Sequence, residues 1–245
     1  MDAAADRDGY IVVYPNGSGR MAERLLTWNA CNCCAYAQIQ GVDDVGFISA
    51  LLDDLEKRAN IDQQRIYIVG HSNGGMMAHR LGEALPERIT AIASVPGAHG
   101  QAVPVLHIHS EDDPRAHYYG GLGPPFPLTG SRVFHPSVDA TLSEWVRHGG
   151  CNTMPTETMF RENGRHTARQ LVYGNCRDGA EVVLWKLTGA GHGWPTSKPR
   201  LERLVGPPTK VIDANKEIWH FFSQFKLAHK LTDGWVITVV RYSDF

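Results

Sequence analysis

The sequence predicts an α/β fold, a mostly parallel sheet with helices on both faces. Three observations predict it. Short, continuous, β-branched runs such as Tyr10–Pro15 and Arg65–Val69 read as strands buried on both sides. Longer segments with apolar residues at three- and four-residue steps read as amphipathic helices. The two kinds alternate along the chain, the pattern of strand–helix–strand units. A length of 245 residues is enough for one large domain with a full core. No internal repeat and no break in composition divides it. The reading is one domain over residues 1–230 and a strand-like extension over 231–245.

Tyr10 to Pro15 is the first strand, ended by Pro-Asn-Gly, and a polar loop with glycines and cysteines follows. Val42 to Asn60 is a helix, with Val45, Ile48, Leu51, Leu52 and Leu55 in phase. Asp43 and Asp44 lie at its positive end, and Lys57 and Arg58 at its negative end. Ile66 to Val69 is a strand and Asn73 to Leu85 a helix; Ile89–Val95 and Val103–His109 are two further strands. Gly120 to Pro136 is a Gly- and Pro-rich surface loop, a lid edge or binding rim. Ser137–His148 is a helix with Val138, Leu142, Trp145 and Val146 on its apolar face. Val182–Leu187 is a strand. Ala214–Leu227 is the last helix, with Ile218, Phe221, Phe222 and Phe225 in phase.

Composition excludes some roles. The net charge is −2 with no basic cluster, which argues against nucleic acid or an anionic membrane as partner. No apolar stretch reaches transmembrane length. The segment Met1–Asp8 is too acidic for a signal peptide and has no apolar core. Of the five cysteines, Cys31, Cys33 and Cys34 cluster, while Cys151 and Cys176 flank a polar stretch expected to be a hairpin or long loop. C-x-C-C lacks the C-x₂-C pairing of zinc sites, so disulfides and an oxidising compartment are the better reading. An odd count leaves at least one thiol unpaired.

The most informative residues are Gly70-His71-Ser72-Asn73-Gly74-Gly75. A G-x-S-x-G motif carries little weight alone in a chain with 25 glycines. Between a strand and a helix it is the nucleophile-elbow pattern of the α/β-hydrolases, with Ser72 on a strained turn at a helix N-terminus. A serine nucleophile needs a histidine base oriented by a carboxylate, in the chain order Ser, Asp/Glu, His. Position selects His192 among 12 histidines, because it lies in the loop Gly189–Pro195 just past the Val182–Leu187 strand. His107 and His109 sit in or at the end of a strand, where packing is the plainer role, and His71 is expected to face away from the serine. The acid belongs just past the Val103–His109 strand, in Glu111-Asp112-Asp113. Position alone does not rank Asp112 against Asp113.

The sequence then resembles the polyhydroxybutyrate-depolymerase-like esterases, which include bacterial feruloyl and acetyl-xylan esterases. The matching segments are Tyr14-Pro15-Asn16-Gly17, Trp28-Asn29-Ala30 with Cys33-Cys34, and Val42 to Phe47. They continue through Ile61-Asp62, Gly70 to Met77, Val105 to His109, Asp113-Pro114 and Gly191-His192-Gly193-Trp194-Pro195. The family acid is the Asp before Pro, so the resemblance selects Asp113 alongside Ser72 and His192. It implies a serine carboxylesterase acting on short-chain or aromatic esters of feruloyl or acetyl type. The Asn73 backbone N–H would be an oxyanion donor; Trp194, two residues past His192, is either an aromatic wall against substrate or a core residue. No metal and no organic cofactor is implied; the partner is a small-molecule ester. The resemblance and the isolation of the two cysteines imply a Cys151–Cys176 disulfide. Cys33 and Cys34 either pair with each other or leave one without a partner. A secreted or periplasmic location follows from the resemblance and the disulfides.

The chain departs from the pattern at both ends. Family members carry an earlier strand, ending in a His-Gly loop that gives a second oxyanion donor, between the strand matching Tyr10–Pro15 and the elbow strand. This chain reads as N-terminally truncated relative to them, with backbone groups on two neighbouring strands left to be satisfied. Gly234–Val240 is an unassigned strand pattern, expected to pair with an exposed strand edge of its own chain or of a second copy in a homodimer. The rival reading is a catalytically impaired hydrolase-fold remnant acting as a binding protein.

Overall fold

A computed structural model of the chain describes residues 1–21, 24–95, 103–126, 130, 132–197, 202–227 and 234–241. The helices are α1 (Asp2–Asp8), α2 (Ala35–Ile39), α3 (Asp44–Arg58), α4 (Asn73–Ala84), α5 (Val138–Gly149), α6 (Glu202–Val205) and α7 (Ala214–Phe222). The strands are β1 (Tyr10–Val13), β2 (Ile61–His71), β3 (Ala91–Val95), β4 (Val105–Ser110), β5 (Gly121–Leu122), β6 (Phe134–His135), β7 (Thr156–Asn163), β8 (His166–Tyr173), β9 (Val182–Thr188) and β10 (Trp235–Arg241).

Eight strands form one sheet in the order β1-β10-β2-β3-β4-β9-β8-β7. The first six run parallel, and the β7–β8 hairpin adds an antiparallel edge to β9. Successive side chains of a strand point to opposite faces, so a central strand must be apolar at both parities. In β2, Ile66 and Ile68 join a cluster with Ile48, Leu52, Met77, Leu81, Leu142 and Trp145, from α3, α4 and α5. Tyr67 and Val69 join the other cluster, with Ala4, Ala5, Ile218, Phe221 and Phe222 from α1 and α7. The result is a three-layer α/β-hydrolase architecture. Within the Gly120–Pro136 stretch, β5 and β6 pair antiparallel; residues 127–129 and 131 lie outside the described part.

The slot between β1 and β2 is filled by β10 of the same chain. Val236 pairs with Tyr10 and Val239 with Val13 on one side, and Val239 pairs with Ile68 on the other. Val236, Ile237, Thr238, Val239 and Val240 are all buried. This partner also explains why the elbow strand starts at Ile61, earlier than its apolar run suggests: Ile61 pairs with Trp235 across a bulge.

One expected boundary is corrected. The last helix stops at Phe222, not Leu227, because Ser223 ends it with tighter turns (Gln224 N–H to Phe221 C=O, Phe225 N–H to Phe222 C=O). The Leu227 N–H then bonds the Gln64 carbonyl beside β2, and Phe225 still packs on Phe221 at 4.9 Å. Cys151 and Cys176 form a disulfide across the β7–β8 hairpin. Cys33 is bonded to Cys34, and Cys31 is a free, exposed thiol. Among the described residues, no helix is long and apolar enough to cross a membrane.

Candidate active site

Because β2, β4 and β9 are parallel neighbours or next neighbours, the loops that leave them meet at one carboxyl edge of the sheet. Ser72 lies between β2 and α4 with φ +54° and ψ −123°, a conformation side-chain-bearing residues rarely adopt. Strand and helix cross so closely there that a Cβ on Gly70 would overlap the Gly74 carbonyl. This is the physical reason for the small residues two places either side of the serine.

The three residues selected by sequence come together. Ser72 Oγ is 2.9 Å from His192 Nε2, and His192 Nδ1 is 2.7 Å from Asp113 Oδ2. The other Asp113 oxygen accepts the N–H groups of Arg115 at 2.7 Å and Ala116 at 2.9 Å. Burial alone would raise the Asp113 pKa. The charge and hydrogen bond of His192 outweigh it, with help from His109 and the Ala116 N–H, and the carboxyl is lowered to about 2. An ionised Asp113 only accepts, so His192 carries its proton on Nδ1 and turns a lone pair toward Ser72.

The two aspartates differ in what each touches. Asp113 holds the imidazole, whereas Asp112 accepts the Gly189 N–H at 2.6 Å and anchors the start of the histidine loop. Ser110 Oγ–H adds a bond to the Ala190 carbonyl at 2.6 Å. On the far side, Gly191 N–H bonds the Pro207 carbonyl and His192 N–H the Val205 carbonyl. A Cβ on Gly191 would strike that Val205 carbonyl, so only glycine lets the two segments pass.

His71 supports the histidine loop: its Nε2–H donates to the His192 carbonyl at 2.7 Å, and its ring lies 5.1 Å from the His192 ring. Burial, then the charge of His192, lowers its pKa to about 4, so it is a neutral donor at ordinary pH. Trp194 is buried, at 7% exposure, with its ring edge-on to His71. It belongs to the buried cluster that includes Ile212 and Phe222, the place of a core residue rather than of an open wall against substrate.

Asn73 begins α4, where backbone N–H groups gather the positive end of the helix dipole. Its side chain is held twice by Trp28, accepting the Trp28 N–H at 2.7 Å and donating to the Trp28 carbonyl at 3.1 Å. Arg80 of α4 donates to the Asn29 carbonyl next door. Sequence reasoning did not anticipate this clamp. Its partners are 45 residues apart, and only the presence of Trp28-Asn29-Ala30 among the matched segments pointed to it.

Comparison with known proteins agrees with this architecture. The chain is 26% identical over 232 residues to a bifunctional acetylxylan esterase/xylanase of Neocallimastix patriciarum, covering 91% of this chain and 28% of that protein. It is 29% identical over 204 residues to feruloyl esterase B of Piromyces equi, covering 77% of this chain and 35% of the relative. An acetylxylan esterase of Coprinopsis cinerea is 25% identical over 219 residues, with coverages of 79% and 55%. The chain is thus similar to feruloyl and acetylxylan esterases at 25–29% identity over most of its length. No protein-family profile matches it. The chain spans about a third of the length of the first two relatives, which carry much sequence beyond the matched region.

Proposed function

We propose that the protein is a serine carboxylesterase that cleaves feruloyl- or acetyl-type esters through an acyl-enzyme. The observation that carries this reading is the continuous hydrogen-bonded line Ser72–His192–Asp113 at the carboxyl edge of the sheet. Ser72 Oγ attacks the ester carbonyl while His192 Nε2 takes its proton. The tetrahedral oxyanion is met by the Asn73 N–H at the head of α4. His192 then returns the proton to the leaving alcohol, and Asp113 stabilises the imidazolium throughout. Water repeats the sequence on the acyl-enzyme and releases the acid. The relatives' names, feruloyl esterase and acetylxylan esterase, support these two substrate types. The Cys151–Cys176 bond suits an oxidising location, outside the cytoplasm.

The test is labelling by a fluorophosphonate probe together with hydrolysis of methyl ferulate and 4-nitrophenyl acetate. Wild type should be labelled and should turn over at least one ester; Ser72→Ala should do neither while keeping its melting temperature. A folded wild type that neither labels nor hydrolyses would leave the binding-protein reading standing.

A further inference from the structure

Two histidines not assigned to the reaction lie directly beneath the acid. His107 and His109 share one face of β4. Their exposures are 1% and 6%. His109 Nε2 is 2.7 Å from the Ala116 carbonyl, so this nitrogen carries the ring proton. Its Nδ1 is then an acceptor, and it lies 3.1 Å from His107 Nε2, which must donate. Among the described residues, the remaining His107 nitrogen, Nδ1, is buried without a hydrogen-bond partner. A buried polar atom left unsatisfied is costly, and an aliphatic residue on this strand would avoid that cost.

The geometry points to a role. Ala116 is the residue whose N–H holds Asp113 Oδ1, and its own carbonyl is held by His109. The same His109 Nε2 stands 3.6 Å from Asp113 Oδ2, the oxygen that bonds His192. One imidazole N–H therefore braces the turn that carries the carboxylate, and the ring stands beside the oxygen that bonds His192.

We infer that His109 is a positioning residue for Asp113, with His107 fixing its tautomer, within the esterase mechanism proposed above. The titratable groups around it are His107 on its own strand, Asp113 and Tyr118 on the following turn, His135 of β6 and His192 of the loop after β9. His79 of α4 lies beyond His107. Burial keeps both strand histidines below the usual histidine range. A neutral His109 braces the Ala116 turn without placing a second positive charge beside the carboxylate to compete with His192.

The test compares His109→Phe, His109→Gln and His109→Asn, each with melting temperature, kcat, KM and a kcat/KM–pH profile on 4-nitrophenyl acetate. His109→Phe should lower kcat by about 10- to 100-fold with KM nearly unchanged, the scale of a slightly misplaced catalytic group. Its acid limb should move to lower pH, because a looser carboxylate stabilises the protonated base less. The glutamine amide reaches the Nε2 position and should restore most of kcat; the asparagine amide reaches only the Nδ1 position and should not. If the phenylalanine variant does not fold, the glutamine–asparagine contrast decides alone. A folded His109→Phe enzyme with wild-type kcat and acid limb would overturn the inference, as would equal activity in the glutamine and asparagine variants. Inert wild type would overturn the esterase reading and the inference with it, whereas active wild type with indifferent variants would overturn the inference only.

Discussion

Replacing Asp113 by asparagine changes one proton and almost no volume, so the effect can be worked through atom by atom. The asparagine carbonyl can take the Oδ1 place and keep the bonds from Arg115 and Ala116, which preserves the turn. Its NH₂ group then falls where Oδ2 faced His192 Nδ1 at 2.7 Å. Two donors cannot face each other, so the imidazole must carry its proton on Nε2 and use Nδ1 as acceptor. Nε2, 2.9 Å from Ser72, would then have no lone pair to receive the serine proton. The analogous change in the Ser-His-Asp template costs about 10⁴ in kcat. We therefore expect a loss of about 10³–10⁴ in Asp113→Asn, or about 4–5.5 kcal/mol of transition-state stabilisation. Asp112→Asn keeps a carbonyl for the Gly189 N–H and should stay within about threefold of wild type, since one exposed neutral bond replaces one charged bond. The assay is kcat/KM on 4-nitrophenyl acetate at pH 7, with thermal melting as the control for folding. Retention of more than a tenth of wild-type activity in Asp113→Asn, or a larger loss in Asp112→Asn, would refute the tautomer argument.

Ile237→Ala in the fully buried part of β10 should cost about 2–5 kcal/mol and lower the melting temperature by roughly 5–15 °C. Trp235→Ala, at a position 56% exposed, should be much milder in the same melt; equal shifts would mean that β10 is not a core strand in solution. Removing the Cys151–Cys176 bond by paired serine substitutions opens a loop with a sequence separation of 25, worth about 3 kcal/mol in the chain-entropy model. Peptide mapping under non-reducing conditions should recover this pair bonded. His71 and His135 are both lowered to about 4, in each case chiefly by burial. The unfolded chain therefore takes up their protons below about pH 6.5 while the native protein does not. Melting temperature should hold above that pH and fall steadily between pH 6.5 and 4, and a flat profile in differential scanning calorimetry would contradict their burial.

The parts of the fold that a sequence reading captures are those written in local periodicity. Ile48, Leu51, Leu52 and Leu55 mark α3 because a helix must present one apolar face, and the capping Asp43 marks its start. Ser72 and His192 were legible because backbone strain and loop position leave traces in glycines. The rest depended on contacts far apart in the chain. Nothing near Asp112 or Asp113 says which carboxylate meets a ring 79 residues on. That distinction came from the Asp-Pro resemblance, and its physical basis from the two different bonds. His107 and His109 read as packing residues because an apolar environment is common to a core histidine and to one that braces a site. The β10 segment reads as a strand that pairs with an exposed edge, but which edge, and in which copy, is not legible, since parallel pairing has no turn to announce it.

The register that couples Tyr10 to Val236 joins one of the earliest segments of the described chain to the last. During synthesis, β1 and β2 emerge long before the strand that separates them. Until residues 235–241 leave the ribosome, the two flanking strands must either remain apart or pair with each other out of register. Closure of the sheet is therefore a late and highly non-local event, of the kind that folds slowly and exposes unpaired edges meanwhile. A cell making this protein would be expected to shelter those edges during translation, and the yield of folded protein should respond to chaperone supply and growth temperature more than its final stability suggests.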